Sequence, residues 1–245
     1  MKEIQPSKGS ACTIVEAQKI CSVLEHVKND DTLVIFDIDN TLVHTAQDLG
    51  SDAWAYWMVE QKLRQGMQVQ DAIEYIFDLF NHVHEHIDVF PVEDQSVSVV
   101  HQLKELSIPT ICLTSRPGSM IDRTQEQLKK VGFVLNCPVG LNKAVTLHMN
   151  SRVEMANGII CGGINDKGDV LSSIFDKLDY QSPNTVVFID DKSSCVESIG
   201  KACSKGGIGY TGIRYGYLDQ VAAAFDAKRA DEQLSALLSQ HAFMR

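Results

Sequence analysis

Three apolar, β-branched runs in this chain each end abruptly in polar residues able to do chemistry. Leu33-Val34-Ile35-Phe36 runs into Asp37-Ile38-Asp39, Ile111-Cys112-Leu113 into Thr114-Ser115-Arg116, and Val186-Val187-Phe188-Ile189 into Asp190-Asp191. A further pair, Lys167-Gly168, precedes a helical pattern. Carboxylates gathered at one place repel unless positive charge sits among them. Mg²⁺ answers that need with oxygen ligands: it takes a few carboxylates, keeps waters and pairs with phosphate. A lysine adds a second positive charge, and a threonine hydroxyl can hold an oxygen of a transferring phosphoryl group, whose equatorial oxygens carry the charge to be neutralised. A carboxylate can also attack phosphorus itself and form an aspartyl-phosphate.

The elements that must position these residues follow from periodicity. Residues 32–36, 109–113 and 185–189 are short, continuous apolar runs, the pattern of strands buried on both faces of a parallel sheet. Helical spacing marks residues 14–27 (Ile14, Ala17, Ile20, Cys21, Leu24), ended by Asn29-Asp30-Asp31, and residues 95–106, 118–130, 170–178 and 193–202. Pro117 suits a helix start, and Asp169 can assist the N-terminus of 170–178. Residues 133–135 read as a short strand and 207–212 as another. Alternation over 144–160 surrounds Asn157-Gly158, a hairpin turn signal. Residues 218–238 read as one long amphipathic helix. Strand and helix alternate, so the expected class is α/β, a doubly wound and mainly parallel sheet. Ligands in such sheets sit at the carboxyl ends of the strands, where the polar clusters fall. Residues 45–87 look mostly helical and are too long for a plain strand-to-helix loop. They predict a helical cap insertion at 45–93, set into a core made of 1–44 and 94–245.

Composition narrows the class. The chain has 245 residues, 44% hydrophobic and 22% charged, which suits a folded domain with a sizeable core. The net charge of −10 disfavours binding along a nucleic-acid backbone. No run of eighteen apolar residues is present to span a membrane, and residues 1–11 are polar. The seven cysteines form an odd set without a C-x-x-C pair. They read as reduced thiols, so the expected location is the cytoplasm, although an effector exported into a host cell would look the same.

The polar clusters carry a family resemblance. Asp37-Ile38-Asp39-Asn40-Thr41-Leu42 after an apolar strand resembles the first motif of the haloacid dehalogenase superfamily, whose members are mostly phosphatases. Thr114 resembles its second motif, Lys167 its third, and Asp190-Asp191 its acidic fourth, in the right order over residues 33–212. The resemblance implies a nucleophile at Asp37, a general acid and base at Asp39, phosphoryl contacts from Thr114 and Lys167, and Mg²⁺ held by Asp37, Asp39 (through its backbone carbonyl) and Asp190. Asp191 then stands beside the metal ligands, and Ser115, Arg116 and His44, which follow the second and first motifs, are candidates for substrate contact by position. Asp191 can exchange roles with Asp190, and Lys177 and Lys143 are alternatives to Lys167. The acid two residues after Asp37 favours a phosphatase or phosphomutase over an ion pump or a dehalogenase. Lys167-Gly168, Pro183 and Arg214-Tyr215 extend the likeness to an uncharacterised bacterial subfamily, a domain of unknown function.

The implied activity is a Mg²⁺-dependent phosphohydrolase acting on phosphomonoesters, with a phosphorylated small molecule or a phosphotyrosine protein as partner. Two rivals remain at this stage: an interaction protein that keeps the fold without catalysis, and a phosphomutase or phosphotransferase. A two-component receiver domain gathers similar residues, but in another order and at about half this length. Taken singly, each residue has a plainer role. Asp37-x-Asp39 alone also suits a nucleotide–metal loop or a surface turn, Thr114 and Asp191 suit helix caps, Lys167 a solvated lysine, and Arg116 a structural ion pair. His82, His84 and His86 form an alternating series in a helical context, which disperses the three rings. Trp54, Tyr56, Trp57, Tyr75, Phe77 and Phe80 read as the core of the insertion.

Overall fold

Among the described residues eight strands form one sheet, and the chain changes direction beside the strand Thr32–Phe36, which fixes where a ligand can enter. The computed structural model describes residues 11–27 and 31–242. The strands of this sheet are β1 (Cys12–Ala17), β2 (Thr32–Phe36), β5 (Thr110–Thr114), β6 (Val145–His148), β7 (Arg152–Ala156), β8 (Ile159–Cys161), β9 (Thr185–Asp190) and β10 (Gly209–Tyr215). They lie in the order β1-β10-β9-β2-β5-β8-β7-β6; from β1 across to β8 neighbours pair in parallel, and β7 and β6 add antiparallel at one edge. A separate antiparallel ribbon joins β3 (Val43–Thr45) to β4 (Val89–Pro91).

The helices are α1 (Val23–His26), α2 (Asp52–Arg64), α3 (Val69–His86), α4 (Ser96–Glu105), α5 (Ile121–Val131), α6 (Lys167–Leu178), α7 (Ser193–Lys205), α8 (Asp219–Ala223) and α9 (Ala227–Ala242). Alternation along the strands divides the core in two. Val34, Phe36, Cys112, Val187 and Ile189 face Val99, Leu103 and Leu128 of α4 and α5. Leu33, Ile35, Ile111, Leu113 and Phe188 face Val170, Ile174 and Val196 of α6 and α7. Both faces are covered, as the apolar runs require, and the class is α/β. A third cluster packs Trp54, Met58, Ile76, Phe80 and Val83 of α2 and α3 against Ala230, Leu234 and Leu237 of α9. The ribbon β3/β4 forms the two connections between these helices and the sheet.

Several expectations are corrected. Residues 12–17 form a strand, not a helix, because the edge of β10 offers a parallel ladder in register from Cys12–Tyr210 to Ala17–Tyr215. Of the expected stop signal, Asn29 and Asp30 lie outside the described residues. Residues 133–135 are not a strand. The Phe133 N–H returns to the Leu128 carbonyl at 2.9 Å beyond Gly132, whose φ of 107° ends α5, so this segment closes a helix. The long C-terminal helix is broken at 224–226, where the Asp226 carboxylate accepts from Lys228 N and Arg229 N and starts α9 afresh. Helix α6 begins three residues earlier than expected, with the Asp166 carboxylate accepting from Asp169 N. The hairpin turn stands where expected: Asn157 and Gly158 have φ of 52° and 79°, which a two-residue turn between twisted strands needs.

Glu93, just past β4, ties the ribbon to the sheet. Its buried carboxylate accepts from Tyr215 Oη and Ile20 N, both at 2.6 Å, and pairs with Lys19 at 3.3 Å. These donors hold its pKa below the ordinary range despite burial. Glu93→Ala leaves two buried donors without an acceptor, at about 1–3 kcal/mol each. Urea unfolding of the variant at pH 7 is expected to show that loss. Because the folded-state pKa is depressed, the difference from wild type should be full above the ordinary carboxylate pKa and shrink as pH falls through the folded value.

Candidate functional site

The carboxyl end of β2 delivers Asp37, whose N–H still reaches the Ile189 carbonyl of β9 at 2.9 Å. The chain then folds back tightly: Leu42 N and Val43 N both return to the Ile38 carbonyl, and Asn40 takes a φ of 60°. Asp190 ends the neighbouring β9 and is fully buried. Its Oδ1 accepts from Lys192 N at 2.7 Å, which fixes the turn into α7. Lys167, in the first turn of α6, reaches in from the side. Its Nζ donates to Asp37 Oδ1 at 2.6 Å and to Asp190 Oδ2 at 2.7 Å. Gly168 permits this approach, since a Cβ there would stand 2.6 Å from the Ser198 carbonyl of α7. An ammonium at a helix N-terminus opposes the helix dipole, and the two carboxylates more than offset it: they hold the Lys167 pKa above its usual value against burial.

Charge does not balance among these groups. Asp37, Asp190 and Asp191 each bring a carboxylate oxygen within 4.8 Å of the others, against one ammonium in contact. Burial pushes Asp37 up to about 7; Lys167 opposes the shift and the Asp190 charge adds to it. Burial also pushes Asp191 up to about 8, with the charges of Asp52 and Asp37 adding to it. Asp191 Oδ1 is buried with no hydrogen-bond partner, while its Oδ2 accepts from Asn40 Nδ2 at 3.2 Å. An orphaned, electron-rich oxygen beside two other carboxylates fits a hard divalent cation, and a cation there would favour the ionised forms. The donor set therefore fits Mg²⁺.

Asp39 sits apart from Lys167, in the grip of Arg116. The guanidinium donates from Nε and Nη2 to the two carboxylate oxygens at 2.7 and 2.8 Å, a bidentate pair. Its Nη1 donates to Gln127 Oε1 at 2.7 Å and to Thr124 Oγ1 at 3.2 Å. Although burial opposes it, the guanidinium holds the Asp39 carboxyl below its usual range. The chain of contacts continues into α3. Gln127 Nε2 lies 3.3 Å from His84 Nδ1, and His84 Nε2 lies 2.9 Å from the Gly50 carbonyl. The Gly50 carbonyl can only accept, so Nε2 carries the proton of a neutral ring. Burial, with the Arg116 charge next, pushes the His84 pKa down to about 4, in keeping with that form.

A cavity of about 370 Å³ opens over this floor, lined by Asp37, Asp39, Thr114, Ser115, Arg116 and Lys167 from the sheet side. The Thr114 hydroxyl accepts from Arg116 N at 3.2 Å, and Ser115 is exposed. Helices α2 and α3 supply a mostly apolar roof that includes Val59, Ile73, Ile76, Phe77 and Phe80. His44 is not brought here: it pairs across the ribbon with Phe90 and lines another cavity, towards α8. Lys177, at the far end of α6, and Lys143, in the loop before β6, are both exposed, which leaves Lys167 as the lysine at the carboxylates. Sequence reasoning missed Lys192 and Asp52, whose side chains pair at 2.5 Å in the cavity wall. Lys192 directly follows Asp190-Asp191, so adjacency was the available signal; nothing local marks Asp52.

Comparison with known proteins places the chain in a family. A family model described as "Protein of unknown function (DUF2608)" matches residues 14–243, and the chain belongs to that family. A relative from Chlamydia pneumoniae is 24% identical over 95% of this chain and 92% of its own length, and one from Chlamydia trachomatis is 23% identical over 93% and 90%. Both carry the name "Putative outer membrane protein", as does a third, from Chlamydia pneumoniae, at 22% identity. A solved cytosolic 5'-nucleotidase IIIB bound to cytidine overlaps 84% of this chain and 82% of its own, at 11% identity and a TM-score of 0.41. The relatives' name points away from the cytoplasm and overturns the cytoplasmic location expected from the cysteines. All seven cysteines are unpaired, but free thiols report geometry and not compartment. No helix among the described residues is long and apolar enough to cross a membrane.

Lys167→Met removes the one ammonium in contact with Asp37 and Asp190. Urea unfolding without divalent cations is expected to show a loss of about 3–5 kcal/mol, the cost of leaving buried carboxylates unpaired. Added Mg²⁺ should restore part of it.

Proposed function

We propose that this member of the DUF2608 family is a Mg²⁺-dependent phosphohydrolase that cleaves phosphomonoesters through an aspartyl-phosphate on Asp37. One observation supports this above the others: the Lys167 ammonium touches Asp37 and Asp190 at the floor of a cavity, beside an Asp191 oxygen with no partner. Asp37, the Asp39 backbone carbonyl and Asp190 or Asp191 would hold Mg²⁺. Bound there, the ion would neutralise phosphoryl oxygens as charge redistributes in the transition state.

In the proposed sequence an Asp37 carboxylate oxygen attacks phosphorus in line. The bond from phosphorus to the leaving oxygen breaks, and Asp39 in its acid form gives that oxygen a proton. Asp39, now ionised, takes a proton from water as the water oxygen attacks phosphorus, and the Asp37–phosphorus bond breaks to release inorganic phosphate. Lys167 and Thr114 hold phosphoryl oxygens throughout. The Arg116 fork favours the ionised, water-activating form of Asp39. Residues 45–93 act as a cap that shields the phosphorylated aspartate from bulk water.

The substrate is a phosphorylated small molecule or a phosphotyrosine side chain. The lining narrows the leaving group. Its cations, Arg116, Lys167 and Lys192, are already paired with Asp39, with Asp37 and Asp190, and with Asp52. A second anionic group on the substrate would find no unpaired cation among them, whereas an uncharged leaving group meets the apolar roof.

Purified protein is expected to release p-nitrophenol from p-nitrophenyl phosphate with Mg²⁺ and not with excess EDTA. Asp37→Asn should lower kcat by at least about 10³-fold with circular dichroism unchanged; activity like wild type would reject the mechanism. Asp39→Asn should cost more on an alkyl phosphate than on p-nitrophenyl phosphate, since p-nitrophenolate needs little protonation to leave.

A further inference from the structure

The alternating series His82, His84, His86 does not act as one unit. At 100° per residue, His84 falls on the face opposite His82, and it is spent inside on Gly50 and Gln127. His82, Glu85 and His86 stand at i, i+3 and i+4 and share the outer face of the last turn of α3. Each offers a ligand atom within 4.8 Å of the other two. The two imidazole rings lie 5.0 Å apart, edge to face, and His82 Nδ1 is 3.6 Å from Glu85 Oε2, beyond hydrogen-bonding distance. Among the described residues this is the one group besides Asp37, Asp190 and Asp191 with such convergence.

We propose that His82, Glu85 and His86 bind a zinc ion at the surface end of α3, at a site separate from the carboxylate cluster. Two imidazoles and one carboxylate suit Zn²⁺, which takes His nitrogen and carboxylate oxygen in a tetrahedron and leaves a fourth position to water. Mg²⁺ prefers oxygen donors, so the two clusters divide cations by donor chemistry. Ligands about 2.1 Å from a tetrahedral zinc stand about 3.4 Å from one another. Closing the observed spacing takes side-chain rotation at a surface position: His82 is half-buried, and Glu85 and His86 are exposed. The carboxyl end of a helix favours a cation through its dipole. The basic groups bound around the end of α3 carry acidic partners: Lys130 is paired with Asp88, and Arg123 with Glu126 while it donates to the His84 and Ile87 carbonyls. Zinc here clasps one turn of the helix that also carries His84, and it stiffens the end of the insertion.

The test is calorimetric titration of the chelator-treated full chain with ZnCl₂ in excess Mg²⁺, which occupies the oxygen cluster. One zinc equivalent is expected, with a higher Tm and, for Co²⁺ in place of zinc, the visible absorption of a tetrahedral ion. The His82→Ala/His86→Ala variant should lose that equivalent, the Tm rise and the cobalt spectrum, with circular dichroism and p-nitrophenyl phosphate hydrolysis unchanged. Glu85→Gln should weaken zinc at least about tenfold. A zinc isotherm identical in wild type and the double variant, or no zinc uptake by wild type, overturns the proposal. The zinc isotherm, the Tm rise and the cobalt spectrum read zinc binding alone, whether or not the protein is a phosphatase.

Discussion

The contact on which the rest depends is the Lys167 ammonium wedged between Asp37 and Asp190. Three carboxylates arriving from two adjacent strands would otherwise push the carboxyl end of the sheet apart. Lysine and aspartates are buried together, so each desolvation cost is met only while the others stay in place. That demand explains features far from the charges. Gly168 must lack a side chain so that α6 can close on α7, and the Asp166 cap must start α6 early enough to aim Lys167 inward. One ammonium in contact with three crowded carboxyl groups still leaves the Asp191 oxygen orphaned. The surplus of negative charge is the physical reason to expect a cation there.

The second constraint is a polar chain that crosses from the sheet to α3 and the Gly50 turn. Asp39, Arg116, Gln127, His84 and Gly50 are linked end to end, and nearly every donor finds an acceptor. Buried networks of this kind are worth having only when satisfied, and breaking one member exposes the rest to full desolvation costs. The chain joins the residue proposed to move protons to the helix that roofs the cavity. The C-terminal segment braces this side from outside: Phe225, just before α9, packs on Trp57 of α2, while Gln233 of α9 accepts from the Leu49 N–H and Arg229 of α9 pairs with Asp48, both in the loop before α2. Helices α2 and α3 are therefore held both from the sheet and from the C-terminal segment.

Much of the core was legible because buried parallel strands write themselves as continuous apolar runs. β2, β5 and β9 stand within a residue of their expected limits, and polar residues follow each where a strand must leave the core. The edges were less legible. β1 has the spacing of a helix, with Ile14, Ala17 and Ile20 in phase, and only the exposed ladder of β10 makes it a strand. Residues 218–238 have helical spacing throughout, yet Asp226 as a cap outcompetes continuation. Local pattern describes preference, whereas pairing and capping are decided by what stands nearby.

The sequence by itself determined the α/β class, the order of the strands that matter and the kinds of group at their ends, since hydrophobic period and residue type are local properties. Only the tertiary structure decided which lysine meets the carboxylates, because Lys167, Lys177 and Lys143 are chemically alike and differ in the direction their elements point. It also decided that Arg116 is spent on Asp39, that His44 faces another cavity, and that His84 turns inward while His82 and His86 turn out. Each of these outcomes is a contact between residues far apart in the chain, or a choice of helix face. Such contacts depend on how elements pack, which no window of neighbouring residues contains.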